Sequence, residues 1–292
     1  MAAASQTAHQ AEFHFTHEHF ELLREYIREH SRIALSDAKR QLVYTRLVRR
    51  LRSLKLTGFD EYCDLIHRGD HEELDELVNA ITTNLTGFFR EPHHFDYLAR
   101  PVLPDLMGRN PQGRRLRLWS AGCSTGEEPY SMAMVARECV PRAAGWDLKI
   151  LATDIDSNVL AKAQAGTYPE ERTDGISAER LRRWFRRGAR SNAGLVKVDA
   201  EAASLVTFKK LNLLDTWPMA GPFDVIFCRN VVIYFDKPTQ KALFDRMADV
   251  LVDRGYLFIG HSESLFKVSE RFKLIDRNTY QKEAGAGREH QG

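Results

Sequence analysis

The sequence has no apolar run near the roughly 20 residues that a membrane-spanning helix needs, so direct membrane insertion is not expected. Cysteine is scarce. Cys63, Cys123, Cys139 and Cys228 stand far apart and form no C-x-x-C pair, which argues against both a zinc site and a disulfide framework. The first ten residues, MAAASQTAHQ, hold no Lys or Arg, and no apolar stretch follows them. No secretory leader is therefore expected, and the protein is read as cytoplasmic with reduced thiols. An excess of one charge is missing too: 42 Lys and Arg face 40 Asp and Glu, a net charge of +2. That balance gives no bulk reason to expect a nucleic acid or a membrane surface as partner. Internal repeats and low-complexity tracts are absent.

What is present falls into two patterns. The first ninety residues read only as helices. Phe20, Leu23, Ile27 and Ile33 recur at near-helical spacing. A second helix spans about Asp37 to Leu54, with Val43, Leu47, Leu51 and Leu54 as its apolar seam and Gly58 as its stop. Tyr62, Leu65 and Ile66 mark a third helix, and Leu74, Leu77, Val78 and Ile81 a fourth.

After Pro111 strands and helices alternate. Strands are expected at 114–120, 148–153, 206–211, 223–228 and 256–260, with helices at 127–139, 158–165 and 239–252 between them. This alternation predicts an α/β fold with a mostly parallel sheet covered on both faces. Two short pieces, 272–275 and 279–281, predict a terminal antiparallel hairpin. A segment at about 168–205 breaks the alternation with a basic helix (Arg180, Arg182, Arg183, Arg186, Arg187) and a short strand at 195–198. It reads as an inserted small subdomain. The expected domains are therefore 1–90 and 91–292.

Four stretches carry candidate chemistry. In Trp119-Ser120-Ala121-Gly122-Cys123-Ser124-Thr125-Gly126-Glu127-Glu128-Pro129 a strand enters a glycine turn and a helix leaves it. No Lys-Ser or Lys-Thr follows the glycine, and the full G-x-G-x-x-G pattern is missing, so neither the triphosphate loop nor the dinucleotide fingerprint applies. Glu127 and Glu128 would repel a phosphate. They suit a ligand with cationic groups, such as the ammonium or sulfonium of S-adenosylmethionine, although an ordinary helix start also favours acids. Asp154 ends the next strand, where an acid accepts hydrogen bonds from ribose hydroxyls. Its distance from the glycine turn exceeds the usual ~20 residues, and the loop 141–147 absorbs the excess; Asp156 reads as a helix cap. Asn212-Leu213-Leu214-Asp215 offers an Asn side chain and a backbone amide for an adenine edge, or is simply a polar turn. Phe227-Cys228-Arg229-Asn230-Val231-Val232-Ile233-Tyr234-Phe235 closes another strand at the ligand-binding edge of such sheets. Tyr234 reads either as a pocket residue or as an interior aromatic with its hydroxyl satisfied. Ahead of the sheet stands Thr82-Thr83-Asn84-Leu85-Thr86-Gly87-Phe88-Phe89-Arg90-Glu91. If this linker folds over a ligand, Asn84, Thr86 and Arg90 face it.

Taken together, T-N-L-T-G-F-F-R-E, S-T-G-E-E-P-Y-S, D-I-D and F-C-R-N-V-V-I-Y-F-D resemble, in this order and spacing, the chemotaxis receptor methyltransferase (CheR) family. The resemblance implies an S-adenosylmethionine-dependent methyltransferase fold, Rossmann-like, behind a small all-helical N-terminal domain and with a β-subdomain insertion. It implies S-adenosylmethionine as donor, S-adenosylhomocysteine as product, no metal, and glutamate carboxylates of a receptor's cytoplasmic helical domain as acceptors. By motif, it places the cofactor contacts at Asn84, Thr86, Arg90, one or both of Glu127 and Glu128, Asp154, Asn212, Leu213, Arg229 and Asn230. Arg90 and Tyr234 resemble the residues beside the transferred methyl. Cys123 takes no role. In some members the β-subdomain binds a receptor C-terminal peptide by adding a strand to its edge; the loop 188–194 does not decide the matter here.

Lys39, Arg40, Arg46, Arg49, Arg50, Arg52 and Lys55 follow one another with no acid between them. A solvated face is the ordinary source of such a run, but with an acidic helical bundle as substrate it reads as a docking helix. The alternatives are a nucleic-acid methyltransferase, which would need a base-reading motif that the sequence lacks, and a non-catalytic S-adenosylmethionine-binding scaffold. His14, His17 and His19 lack the carboxylates that would complete a metal set. His93-His94 reads as structural or exposed. His261-Ser262-Glu263-Ser264 reads as a site-closing or loop-capping turn.

Overall fold

The computed structural model describes residues 12–33, 35–140 and 145–285. The N-terminal stretch read above for a leader, and part of the 141–147 loop, lie outside them. The chain divides into two compact units, Met1–Thr82 and Thr83–Gly292. The strip 83–90, attached to the first domain in the sequence reading, falls in the second unit. No helix among the described residues is long and apolar enough to cross a membrane.

Unit one holds α1 (His17–Ser31), α2 (Arg40–Leu54), α3 (Phe59–His67) and α4 (His71–Ile81). Thr16 and His19 close a reciprocal capping box on α1. The expected seams meet in one core of Phe20, Leu23, Ile27, Val43, Leu47, Leu51, Phe59, Tyr62, Ile66 and Leu77. Each large side chain buried there contributes about 1.5–3 kcal/mol. Gly58 is not the stop of α2. Lys55 takes the left-handed position (φ 58°), and the Leu56 amide closes the helix end on the Leu51 carbonyl at 3.0 Å. Gly58 is instead the extended N-cap residue of α3.

Unit two begins with two helices that the sequence reading missed, α5 (Pro92–Tyr97) and α6 (Leu103–Arg109), joined by a wider π-helical turn over Leu98–Val102. Pro101 lacks the amide that an α-helical turn would use, and the turn widens around it. The strands are β1 (Arg115–Ala121), β2 (Asp147–Asp154), β3 (Thr167–Pro169), β4 (Phe185–Arg187), β5 (Leu195–Val198), β6 (Val206–Lys210), β7 (Phe223–Cys228), β8 (Leu251–Ile259), β9 (Phe272–Asp276) and β10 (Thr279–Lys282). The larger sheet has the order β6-β2-β1-β7-β8-β10-β9. Its first five strands run parallel, and β10 and β9 form the expected antiparallel hairpin.

Alternate strand residues feed two cores. Leu116, Leu118, Val225, Phe227 and Phe258 face α7 (Glu127–Cys139), α5 and α6. Trp119, Ile226, Cys228, Leu257 and Ile259 face α11 (Lys237–Val250). Helix α8 (Ser157–Ala165) follows β2.

The insertion forms the antiparallel sheet β3-β5-β4. Its basic helix, α9 (Ala178–Trp184), is shorter than expected. Phe185 turns inward and begins β4, so Arg186 and Arg187 lie on a strand. A short α10 (Ala200–Ala203) leads out of it.

Candidate active site

Register fixes where a site can lie. Ala121 is level with Thr153 across β1 and β2, and Ser120 with Phe227 across β1 and β7. The glycine turn, Asp154 and Arg229 therefore emerge together at the carboxyl edge. There β1 is flanked by β2 on one side and β7 on the other, the switch point at which open α/β sheets bind ligands.

The turn is held by its own backbone and by Asp154. The Gly122 and Cys123 amides donate to the Thr153 carbonyl at 2.8 and 2.9 Å. The Ser124 amide donates to Asp154 Oδ2 at 2.7 Å and the Asp156 amide to Oδ1 at 3.0 Å. Gly122 has φ +88°, and a Cβ there would stand 2.4 Å from Val231 Cγ2, so only glycine lets the β1 and β7 loops approach this closely. Burial pushes the Asp154 carboxyl up to about 6, against the pull of these amides. Asp156 caps α8 through the Asn158 and Val159 amides, as expected.

The two glutamates behave differently. Glu127, wholly buried, pairs with Arg172 and accepts from Thr125 Oγ1 at 2.6 Å. Glu128 accepts from Ser120 Oγ at 2.7 Å and from Arg229 Nη1 at 3.1 Å. Burial raises its pKa, while Arg229 and Ser120 oppose the rise. The Arg229 guanidinium, 5.7 Å from the Phe95 ring centre and 5.9 Å from that of Phe227, also donates to the Arg90 carbonyl at 2.6 Å and stands 3.2 Å from Glu91 Oε2. Both of its Nη atoms are thus paired within the protein, while its buried Nε has no partner among the described residues.

The linker lies against this edge. Asn84 Nδ2 donates to Asp156 Oδ2 at 2.7 Å, and its carbonyl accepts from Ser124 Oγ at 3.1 Å. The Thr86 carbonyl accepts from Arg172 at 3.2 Å. Arg90, half-buried, donates to the Leu85 carbonyl at 2.6 Å. Asn230 takes a left-handed φ of 58°. Its amide, with those of Val232 and Gly260, donates to the buried carboxylate of Glu263 at 2.9, 3.0 and 2.6 Å. Tyr234 is half-buried, and its hydroxyl has no hydrogen bond among the described residues. Asn212 Oδ1 accepts from the Leu214 amide at 3.0 Å, and the Leu213 side chain packs into the core with Trp119. Position 213 can therefore offer only its main chain.

Glu263 caps the Asn230 loop, one of the two readings given for the His261–Ser264 turn. One residue here escaped the sequence reading. Arg172 ties the insertion to Glu127, and nothing in its neighbourhood of the sequence marks it.

Unit one divides the expected docking set. Arg46 turns inward and caps α4 through the carbonyls of Ala80, Ile81 and Thr82. Arg50 grips the buried Glu73 at 2.9 and 3.1 Å. Arg40 donates to the Phe15 carbonyl at 2.7 Å, and Arg52 pairs with Glu12. Lys39, Arg49 and Lys55 are exposed and form no ion pair among the described residues. The helix is therefore not one uniform cationic face: Arg46 and Arg50 serve the fold, and reversing their charge would damage it.

An acidic group at a switch point suits a ligand with hydroxyls and a positive charge. Each Asp154 oxygen accepts one amide here, and an ionised carboxylate has about four acceptor positions, which leaves room for two hydroxyl donors.

Comparison with known proteins agrees with this chemistry. Residues 84–281 match the CheR methyltransferase, SAM binding domain, and residues 18–82 match the CheR methyltransferase, all-alpha domain. The chain is 46% identical over 273 residues to chemotaxis protein methyltransferase 2 of Pseudomonas aeruginosa, covering 92% of this chain and 94% of the relative. It is 44% identical over 265 residues to the chemotaxis protein methyltransferase of Escherichia coli, covering 90% of each. It is 46% identical over 232 residues to a probable chemotaxis protein methyltransferase of Rhizobium etli, covering 79% of this chain and 87% of the relative. With both of its units matched, this chain belongs to the CheR methyltransferase family.

Proposed function

We propose that the protein is a protein-glutamate O-methyltransferase. It forms methyl esters on glutamate side chains in the cytoplasmic helical domain of chemotaxis receptors, for sensory adaptation. The observation that carries this reading is the tie between the Asn84–Glu91 linker and the sheet edge, which sets Arg90 on the loops that bear Asp154 and Asn230. S-adenosylmethionine, when bound, supplies an electrophilic methyl group on a sulfonium. Asp154 would hold the ribose hydroxyls, and Asn212 with the Leu213 main chain the adenine. Asn84, Thr86, Glu127, Glu128 and the Arg229 and Asn230 main chain would line the remainder.

A glutamate carboxylate, with a reference pKa of about 4.3, is already a nucleophile at neutral pH, so no general base is needed. The task left to the chain is positioning and exclusion of water. Arg90 has five guanidinium N–H donors, and the Leu85 carbonyl uses one. The others would orient the incoming carboxylate, and the Tyr234 hydroxyl would steady it. Arg90→Ala is expected to lower kcat about 100-fold through lost alignment, with S-adenosylmethionine affinity less affected. Steady-state rates beside calorimetric titration separate the two effects.

For docking, Lys39 and Arg49 carry the argument, because their charge is not spent on the fold. Lys39→Glu with Arg49→Glu is expected to raise the receptor KM about threefold to tenfold at low salt and to leave S-adenosylmethionine affinity unchanged. Added salt should shrink the difference. Equal loss in both quantities would count against docking. Whether a receptor C-terminal peptide binds the small sheet is answered by titrating that peptide.

The reaction itself is tested by incubating a purified receptor cytoplasmic fragment with the enzyme and S-adenosylmethionine and mapping the product by mass spectrometry. Methyl groups on glutamates of the helical bundle support the reading. Methylation of DNA in place of the fragment would favour a nucleic-acid enzyme. Binding of S-adenosylmethionine with no transfer to any acceptor would favour a scaffold.

A further inference from the structure

Glu127 opens α7 and is wholly buried, and both of its carboxylate oxygens are taken. Oε2 accepts from Thr125 Oγ1 at 2.6 Å, and Oε1 accepts from Arg172. Among the described residues Arg172 is its one cationic partner. Arg172 belongs to the insertion, on the short turn Glu170–Thr173. That turn is fixed: Thr173 Oγ1 donates to the Glu170 carbonyl at 2.6 Å, and the Glu170 amide to the Gly194 carbonyl at 2.9 Å. The Arg172 guanidinium also donates to the Thr86 carbonyl of the linker at 3.2 Å. Two further contacts join the same three segments. Tyr168 Oη, on β3, donates to the Thr125 carbonyl at 2.7 Å. Phe88 of the linker packs edge-on against Tyr168 and Phe185, with ring centres 5.0 Å apart in each pair. Insertion, linker and glycine turn therefore meet around Glu127.

This arrangement sets a condition on a cationic ligand. A group that reaches Glu127 displaces something already there. The Thr125 hydroxyl is neutral and tolerates a second donor on the carboxylate. The guanidinium does not, because two positive charges on one buried acid repel each other. Arg172 is also the neighbour able to leave. Its side chain keeps 37% of its surface exposed, so water takes over the contacts it gives up. Glu128 offers no such exchange: its cation, Arg229, is only 2% exposed and is tied as well to Glu91 and to the Arg90 carbonyl.

We propose that Arg172 is a positioning residue that holds Glu127 in the donor-free protein and yields it to the ammonium of S-adenosylmethionine, one cation replacing another. The proposal rests on the reading of Glu127 as a donor contact. On exchange Arg172 also releases the Thr86 carbonyl, so donor binding loosens the insertion from the linker.

The test is calorimetric titration of the full chain with two ligands: S-adenosylmethionine, and methylthioadenosine, which keeps the nucleoside and lacks the ammonium. Arg172→Met should bind S-adenosylmethionine about fivefold to tenfold more tightly than wild type, an effect between those of an exposed and a buried ion pair, because the competing cation is gone. Its affinity for methylthioadenosine should not change. Arg172→Lys, which restores the charge, should reverse most of the gain. Free Arg172→Met should melt below wild type, and saturating S-adenosylmethionine should raise its Tm by more. Arg172→Gln replaces Arg172→Met if that variant does not fold. Equal or weaker binding of S-adenosylmethionine by the position-172 variant overturns the proposal, as does equal tightening of both ligands. Glu127→Gln separates this failure from failure of the site reading. It should weaken S-adenosylmethionine and spare methylthioadenosine; S-adenosylmethionine affinity kept in Glu127→Gln overturns the site reading and the proposal with it.

Discussion

Asp154→Ala is expected to lower the affinity for S-adenosylmethionine by about 10³-fold, the loss of two hydrogen bonds to a charged acceptor at about 1.5–3 kcal/mol each. The same carboxylate receives the Ser124 and Asp156 amides, so its removal also loosens the turn that shapes the site. Calorimetric titration at pH 7.5 measures the loss. The proton makes a second, milder form of the same experiment. With the Asp154 pKa pushed up to about 6, an ionised acceptor is increasingly lost below that pH. Affinity should then fall toward a limit of about tenfold per pH unit, and Asp154→Asn should flatten the dependence. Stability runs the other way. A carboxyl with a raised folded pKa favours the folded state most below its unfolded value, and that contribution is lost as pH rises through about 6. A binding profile that falls in acid while the free protein does not gain instability from this group separates the two effects.

Arg229→Met is expected to cost the fold about 3–5 kcal/mol, because it strands the buried Glu128 without its cation and takes the guanidinium from the half-buried Glu91. Urea unfolding of the full chain reads this directly. Adding Glu128→Gln should recover part of the loss, since the second change removes one of the stranded charges. A substitution at Arg229 that left stability intact and removed only ligand binding would show that this arginine serves the ligand rather than the linker.

These two residues also show what the sequence could and could not convey. Asp154 was legible because strand, turn and acid follow one another locally, and register then puts the acid at the edge. The helix over 127–139 and the strand over 223–228 were legible for the same reason: their periodicity is unbroken. Arg229 was found by motif, but its closure between Glu128 and Glu91 depends on segments far apart in sequence. The basic helix failed similarly. Seven cations on one stretch look alike in sequence, and only the position of α4 separates Arg46 and Arg50 from Arg49. Helices α5 and α6 were hidden by Pro92, Pro101 and Pro104, although Phe95, Leu98, Val102 and Leu106 keep helical spacing through them. Gly58 looked like a stop because glycine so often fills the left-handed position, which Lys55 takes here.

Receptor-containing membranes incubated with the enzyme and methyl-tritiated S-adenosylmethionine, then treated with mild alkali, identify the acceptor. Label bound to the receptor and released by alkali as volatile methanol is the predicted result, because an ester of a glutamate carboxyl hydrolyses in base. Alkali-stable label, or no label on a competent receptor, would contradict it.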